Sequence, residues 1–176
     1  MKNWTLLLLS LLVFNCSKEE TAILSDYALT AADQEAALNV HNDARAEVGV
    51  APLKWSEELS QSAAEWAKYL ADNEAFKHAG NDVRNGQGEN LYKHSQTIKD
   101  LGGRYAAMAW YEEINLYTYA PIGSGANDFP AIGHYTQMIW SSTTEVGMAL
   151  AVSDSGATYV VARYNPQGNI TGQTPY

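Results

Sequence analysis

Along residues 30–72 the apolar side chains recur at intervals of three and four, the period of helices buried along one side. Thr30-Ala31-Ala32-Asp33 places a capping hydroxyl ahead of an acidic first turn. Leu38, His41, Arg45 and Val48 then share one side, which predicts a first helix to about Val48, stopped by Gly49 and Pro52. Ser56 can cap a second helix, with Glu57 and Glu58 favouring the positive end of its dipole. Leu59, Ala63, Trp66, Ala67 and Leu70 supply its apolar stripe through about Ala71. From Asn73 to Gly88 the period is lost among Asn, Gly and charged residues, and the stretch reads as a loop.

A third helix is predicted over Arg104 to Leu116, with Ala106, Ala109, Trp110, Glu113 and Ile114 facing inward. Tyr119 to Gly133 is too rich in Gly and Pro for regular structure, and Gly133 to Ile139 predicts a short fourth helix. Val146 to Val152 and Tyr159 to Tyr164 read as two strands of an antiparallel hairpin around Asp154-Ser155-Gly156. Helices first and strands last imply an α+β or three-layer domain rather than alternating βαβ units.

The amino terminus has a different pattern. One positive charge, Lys2, precedes a short apolar run from Leu6 to Phe14, too short to span a bilayer and proportioned like a secretory signal core. The competing reading is a buried N-terminal helix, but the run has no polar face. Asn15 and then Cys16 follow; Cys16 is the single cysteine of the chain, so it has no internal disulfide partner. Its place, with Leu12 four residues ahead, resembles a bacterial lipoprotein site. There, cleavage after residue 15 leaves a lipidated N-terminal cysteine. Phe14 and Asn15 are bulkier than that pattern favours, which leaves simple secretion or a free thiol as alternatives. Residues 1–15 are thus read as a signal peptide, 16–29 as the anchored cysteine and its tether, and 30–176 as one folded domain. The expected location is extracytoplasmic: anchored to a bacterial outer membrane or cell surface if acylated, secreted if not.

The chain carries 20 acidic and 11 basic side chains in 176 residues, a formal charge of −9. That balance opposes nucleic-acid binding and adsorption to anionic lipid, so any membrane partner must be reached through the acylated Cys16. Without another cysteine, the domain cannot use disulfides, iron–sulfur clusters, thiolate zinc sites or thiol catalysis. There is also no Gly-rich phosphate loop, no helical histidine pair with an intervening glutamate and no nucleophile-elbow serine.

Polar residues of chemical interest cluster in Phe76-Lys77-His78 with Gly88-Glu89-Asn90-Leu91-Tyr92, in Trp110-Tyr111-Glu112-Glu113-Ile114, and in Gly133-His134-Tyr135-Thr136-Gln137-Met138-Ile139-Trp140. Together with Val161-Ala162-Arg163-Tyr164-Asn165-Pro166-Gln167-Gly168-Asn169, these segments resemble the CAP superfamily. That superfamily comprises the cysteine-rich secretory proteins, antigen 5 and the pathogenesis-related proteins of class 1, also called the SCP domain. The resemblance runs from Val40-His41-Asn42 through Asn169 and is nearest to the disulfide-free, Golgi-associated branch. It implies a three-layer α-β-α sandwich whose cleft gathers two histidines and two glutamates.

Carried over motif by motif, those residues are His78, Glu89, Glu113 and His134. Glu112 is adjacent to Glu113, about 100° away around a helix, and is expected to point elsewhere. No two of the four lie at a helical ligand spacing, so only the fold can bring them together. The two imidazoles could hold zinc or another divalent ion, with the glutamates orienting the rings and, secondarily, ligating. The resemblance also implies a binding module for a lipid or sterol, or for an extracellular protein, rather than an enzyme. The alternative is a metal-dependent hydrolase of peptide or ester bonds with Glu89 or Glu113 as base. A third reading makes the four residues a structural staple, and taken singly each could merely satisfy a loop. His41 and Arg45 are expected to support the core, the first partly buried and the second packed along its stem. Asn90 and Gln137 are expected to pin loops, and Trp55, Trp66, Trp110 and Trp140 to anchor the core.

Overall fold

The computed structural model describes residues 26–98 and 100–176; the signal run, Cys16 and most of the tether lie outside the described residues. Thr30 accepts from Asp33 N through Oγ1 at 3.2 Å and opens α1 (Ala31–Glu47). Two residues, Lys54–Trp55, form β1, and Ser56 Oγ caps α2 (Glu57–Asp72) by accepting from Leu59 N at 3.4 Å. A short α3 (Asn81–Arg84) and β2 (Gly88–His94) follow. Next come α4 (Gly102–Tyr111), a 3₁₀ turn (Glu112–Leu116), a second one (Phe129–Ala131) and α5 (Gly133–Met138). The chain ends on β3 (Glu145–Val152) and β4 (Thr158–Asn165).

The strands form one sheet in the order β1-β3-β4-β2, in which β1 runs parallel to β3 and the other pairs are antiparallel. Alternation along the strands divides the core between the two faces. Val146, Met148, Val160, Ala162 and Tyr164 face one layer with Ala37 and Ala44 of α1, Ala106 and Trp110 of α4, and Tyr135 and Met138 of α5. Ala149, Ala151, Tyr159, Val161 and Leu91 face the other, built from Ala63, Ala67 and Leu70 of α2. The expected α+β, three-layer α-β-α sandwich is therefore the observed architecture. At Gly147 a side chain would fall on the backbone of Ser56 and Ser60, so the glycine sets how closely α2 lies on the sheet.

Several expectations need correction. Residues 73–88 are not all loop, since they contain α3, and the stretch beginning at Gly88 is a strand along one edge of the sheet. The third helix starts two residues before Arg104 and tightens into a 3₁₀ turn after Tyr111; Ala109 faces solvent. The folded part also reaches back before Thr30. Ala28 bridges Ala149, Tyr27 O accepts from Leu150 N at 2.9 Å, and Leu29 is buried.

His41 and Arg45 are more deeply placed than expected, at 0% and 1% exposure. Arg45 does more than pack its stem. Its guanidinium donates to Ala51 O, Met138 O, Trp140 O and Thr143 O, tying α1 to the turn between α5 and β3. Burial pulls its pKa down to about 10. Trp66, Trp110 and Trp140 are buried anchors, whereas Trp55 is half-buried. Among the described residues no helix is long and apolar enough to cross a membrane.

Candidate functional site

Consecutive residues at the start of β2 aim at opposite faces of the sheet, and the site is built around that divergence. Glu89 turns toward the α2 layer. Its Oε1 lies 2.6 Å from His78 Nδ1 and accepts from Ala79 N at 3.0 Å, and its Oε2 lies 2.9 Å from Arg163 Nη1. The side chains of Glu89 and Arg163 are both wholly buried. Asn90 turns the other way and donates through Nδ2 to His134 O and to the Tyr164 hydroxyl, both at 3.1 Å.

The second acid comes from the 3₁₀ turn after α4. Glu113 Oε1 lies 2.6 Å from His134 Nδ1, while Oε2 accepts from the backbone N–H groups of His134 and Tyr135 at 2.9 and 3.0 Å. One carboxylate thus caps the open start of α5 and orients the ring that α5 carries. Trp110 lies nearly parallel to that ring, with centroids 6.1 Å apart, and donates through Nε1 to Leu91 O. The two His–Glu pairs are close copies in their ring contacts but differ in shelter. The His78 side chain is 58% exposed and His134 30%, while Glu113 is 17% exposed and Glu89 is not exposed at all.

His78, Glu89 and His134 line one cleft of about 400 Å³, together with Arg84, Asn90, Gln137, Gly168 and the apolar Phe129, Pro130 and Ile170. Glu113 is not on its wall and stands behind His134. Glu112, as expected, is exposed and accepts from Asn115. Gln137 braces the opposite side. Its Oε1 accepts from Gly168 N at 2.9 Å, its Nε2 donates to Thr143, and the oxygen crowds Gly88 so closely that a side chain there would displace it. Asn169 donates to Gly133 O and accepts from the Thr136 hydroxyl, joining the segment after β4 to α5.

A hydrogen-bonded series runs behind the cleft. Asn90 donates to Tyr164, Tyr164 to His41 Nε2 at 2.8 Å, and His41 Nδ1 to Ala37 O at 2.8 Å. Burial fixes that polarity: it raises the Tyr164 hydroxyl well above its usual value of 10. It also lowers His41 to about 4, with Arg45 acting in the same direction and the bond to Ala37 opposing. His94 stands apart beside a shallow depression formed with Tyr92, Ile98 and Tyr105.

In a neutral imidazole facing a carboxylate, the proton sits on the nitrogen nearer the acid, because the carboxylate can only accept. His78 and His134 each meet their glutamate through Nδ1, so each Nε2 retains its lone pair, and among the described residues neither has a protein partner. Two nitrogen donors whose far sides are held by carboxylates suit an open metal position. No set of three or more His, Cys, Asp or Glu side chains arranged to hold an ion occurs among the described residues. Arg84, Arg163 and Phe129 were not singled out from the sequence. Arg163 follows two apolar residues in a strand and could have been flagged as a buried cation requiring an acid.

Residues 38–164 match the family model for the cysteine-rich secretory protein family, CAP. The chain belongs to this family. It is 36% identical over 140 residues to the pathogenesis-related protein PRMS of Zea mays, covering 79% of this chain and 80% of that one. It is 35% identical over 136 residues to the Golgi-associated plant pathogenesis-related protein 1 of Homo sapiens, covering 77% and 84%. Among solved CAP structures, that of NaASP2 with Zn2+ superposes with a TM-score of 0.75 at 26% identity, covering 85% of this chain and 87% of the other.

Proposed function

We propose that this CAP protein is an extracytoplasmic binding module, attached to a membrane through acylated Cys16, whose cleft holds a divalent metal such as zinc on His78 and His134. The observation that carries the reading is the pair of 2.6 Å carboxylate–Nδ1 contacts, which leave both Nε2 atoms as acceptors. A zinc-bound relative of the same fold supports it. A bound ion would supply positive charge and open coordination positions for a ligand.

Glu89 and Glu113 act here as orienting groups. Glu113 accepts through both oxygens from His134 and Tyr135, whereas Glu89 accepts through Oε1 from His78 and Ala79 and its buried Oε2 faces the Arg163 guanidinium as an ion pair. A hydrolase would need one of them free to take a proton from water, which disfavours the enzymatic alternative. The ligand of the module is a lipid or sterol, or an extracellular protein.

Metal analysis of the purified protein beside its His78→Ala/His134→Ala variant tests the reading. One equivalent of zinc in the first and none in the second is expected; equal content in both would refute the metal site. Incorporation of labelled fatty acid that disappears in Cys16→Ser is expected for the anchor, and incorporation that persists would refute it.

A further inference from the structure

We infer that the depression at the far end of β2 from the cleft is a second binding site, which takes a neutral oligosaccharide against Tyr92 and Tyr105. The inference depends neither on a metal nor on any ligand in the cleft.

β2 enters the cleft with Glu89 and ends at His94, ~17 Å further along the strand. There Tyr92, His94, Thr97, Ile98, Asp100 and Tyr105 surround a hollow of about 540 Å³, enough for a few sugar rings. Its walls are held from outside. Thr158 Oγ1 accepts from Ile98 N at 2.8 Å and donates to Gln96 O at 2.9 Å, and Thr97 Oγ1 donates to Gly156 O at 2.9 Å. These bonds tie the segment after β2 to the turn and strand on its flank. Asp33 of α1 accepts from Gly103 N and Arg104 N at 2.8 and 2.9 Å, which fixes the start of α4 and with it Tyr105. A site arranged beforehand loses little freedom when it is filled.

The lining is mixed in a specific way. Tyr105 is 49% exposed, and Tyr92 is half-buried against the core, so one ring is free to cover a ligand and the other is braced. His94 Nδ1 lies against the Gln96 backbone at 3.1 and 3.2 Å, and among the described residues Nε2 has no protein partner. Whichever tautomer the ring adopts, a hydroxyl can answer Nε2, since it both donates and accepts. The Asp100 carboxylate only accepts, and Thr97 has already given its proton to Gly156.

A pyranose ring combines an apolar face of C–H groups, which lies on an aromatic ring, with a rim of hydroxyls for such acceptors. An apolar ligand would strip water from Asp100 and His94 without replacing it. A cation gains nothing here, because Lys99 and Arg104 adjoin Asp100 in the sequence and offset its charge.

The test titrates cellotriose and N-acetylated chitotriose, whose equatorial linkages leave flat C–H faces, into the purified full-length protein and follows amide NMR shifts. Glycerol and choline serve as controls. At least one trisaccharide should shift Thr97 and Gly102 saturably, with half-saturation at about 1–5 mM, while Gly133 and Gly168 in the cleft stay unmoved. Tyr105→Ala should weaken binding about ten-fold and Tyr105→Phe by no more than about two-fold, since the ring face is kept. Asp100→Asn should weaken it about five-fold or more. EDTA should change none of these values.

No saturation by either trisaccharide at about 20 mM, choline binding as tightly as sugar, or full affinity in Tyr105→Ala would overturn the inference. So would shifts confined to the cleft amides, or sugar binding that EDTA abolishes. Sugar binding by a protein that takes up no zinc would sink the metal site alone, and zinc uptake without sugar binding would sink this inference alone.

Discussion

Glu89 and Glu113 make similar contacts with their histidines, yet replacing them should have unequal consequences for folding. Glu89→Gln keeps the shape of the side chain and removes its charge from beside Arg163, whose side chain is wholly buried 2.9 Å away. No other partner for Arg163 Nε or Nη2 exists among the described residues. Breaking a buried pair from one side costs about 3–5 kcal/mol, because the remaining charge stays out of water without a counterion. At roughly 2–4 °C per kcal/mol for a domain of this size, the melting temperature should fall by about 10 °C.

Glu113→Gln faces no buried cation. It weakens bonds to one imidazole and two backbone N–H groups at a partly exposed position, a loss of about 1–2 kcal/mol. Urea denaturation of the two variants, with Arg163→Met and Glu89→Gln/Arg163→Met, measures the difference. Removing both charges should recover much of the loss, since an apolar pair of similar volume avoids the desolvation penalty. Equal destabilisation by Glu89→Gln and Glu113→Gln, or a double variant no better than the sum of its singles, would refute the reasoning.

His41 should make stability depend on pH. Its pKa is about 4 in the folded protein, mainly through burial, against 6.5 when exposed to water. The unfolded chain therefore binds a proton that the folded chain refuses. Stability is complete above about pH 6.5 and falls by about 3 kcal/mol on the way down to pH 4. In His41→Gln that slope should flatten when urea midpoints are compared across the same range; an unchanged slope would exclude His41 as its source. Gly147→Ala should cost about 3 kcal/mol or more, because the added methyl meets the backbone of Ser56 and Ser60 rather than a side chain that can rotate away. A thermal melt within about 2 °C of the parent protein would show that α2 can move off the sheet without penalty.

The helices were readable because each has one buried side and a local start signal. The spacing from Leu59 to Leu70 marks the face that α2 turns to the sheet, and Thr30 and Ser56 cap where their hydroxyls suggest. The strand β2 hid its nature for a physical reason. Its first four residues, Gly88 to Leu91, are all buried, since one side meets α2 and the other meets α4 and α5, so alternation of polar and apolar positions is lost. Glu89 and Asn90 look like loop chemistry in the sequence, yet each is buried with partners contributed from far along the chain.

Motif likeness to the CAP family pointed to His78, Glu89, Glu113 and His134, and the structure places three of them around one cleft with the fourth behind His134. Spacing alone could not have done so, because the two pairs approach from opposite faces of the sheet. Arg163 and Arg84 were missed because one reads as an interruption in a strand and the other as a charge in a loop. Their meaning depends on Glu89 and on the cleft, neither of which is local to them.

The arrangement of the two imidazoles can be read directly from ring ¹⁵N–¹H correlation spectra of histidine-labelled protein, before and after one equivalent of zinc. The account predicts that His78 and His134 both carry their proton on Nδ1 in the metal-free protein, and that zinc moves the Nε2 resonance of both rings together. A proton on Nε2 of either ring, or zinc that perturbs one histidine without the other, would contradict it.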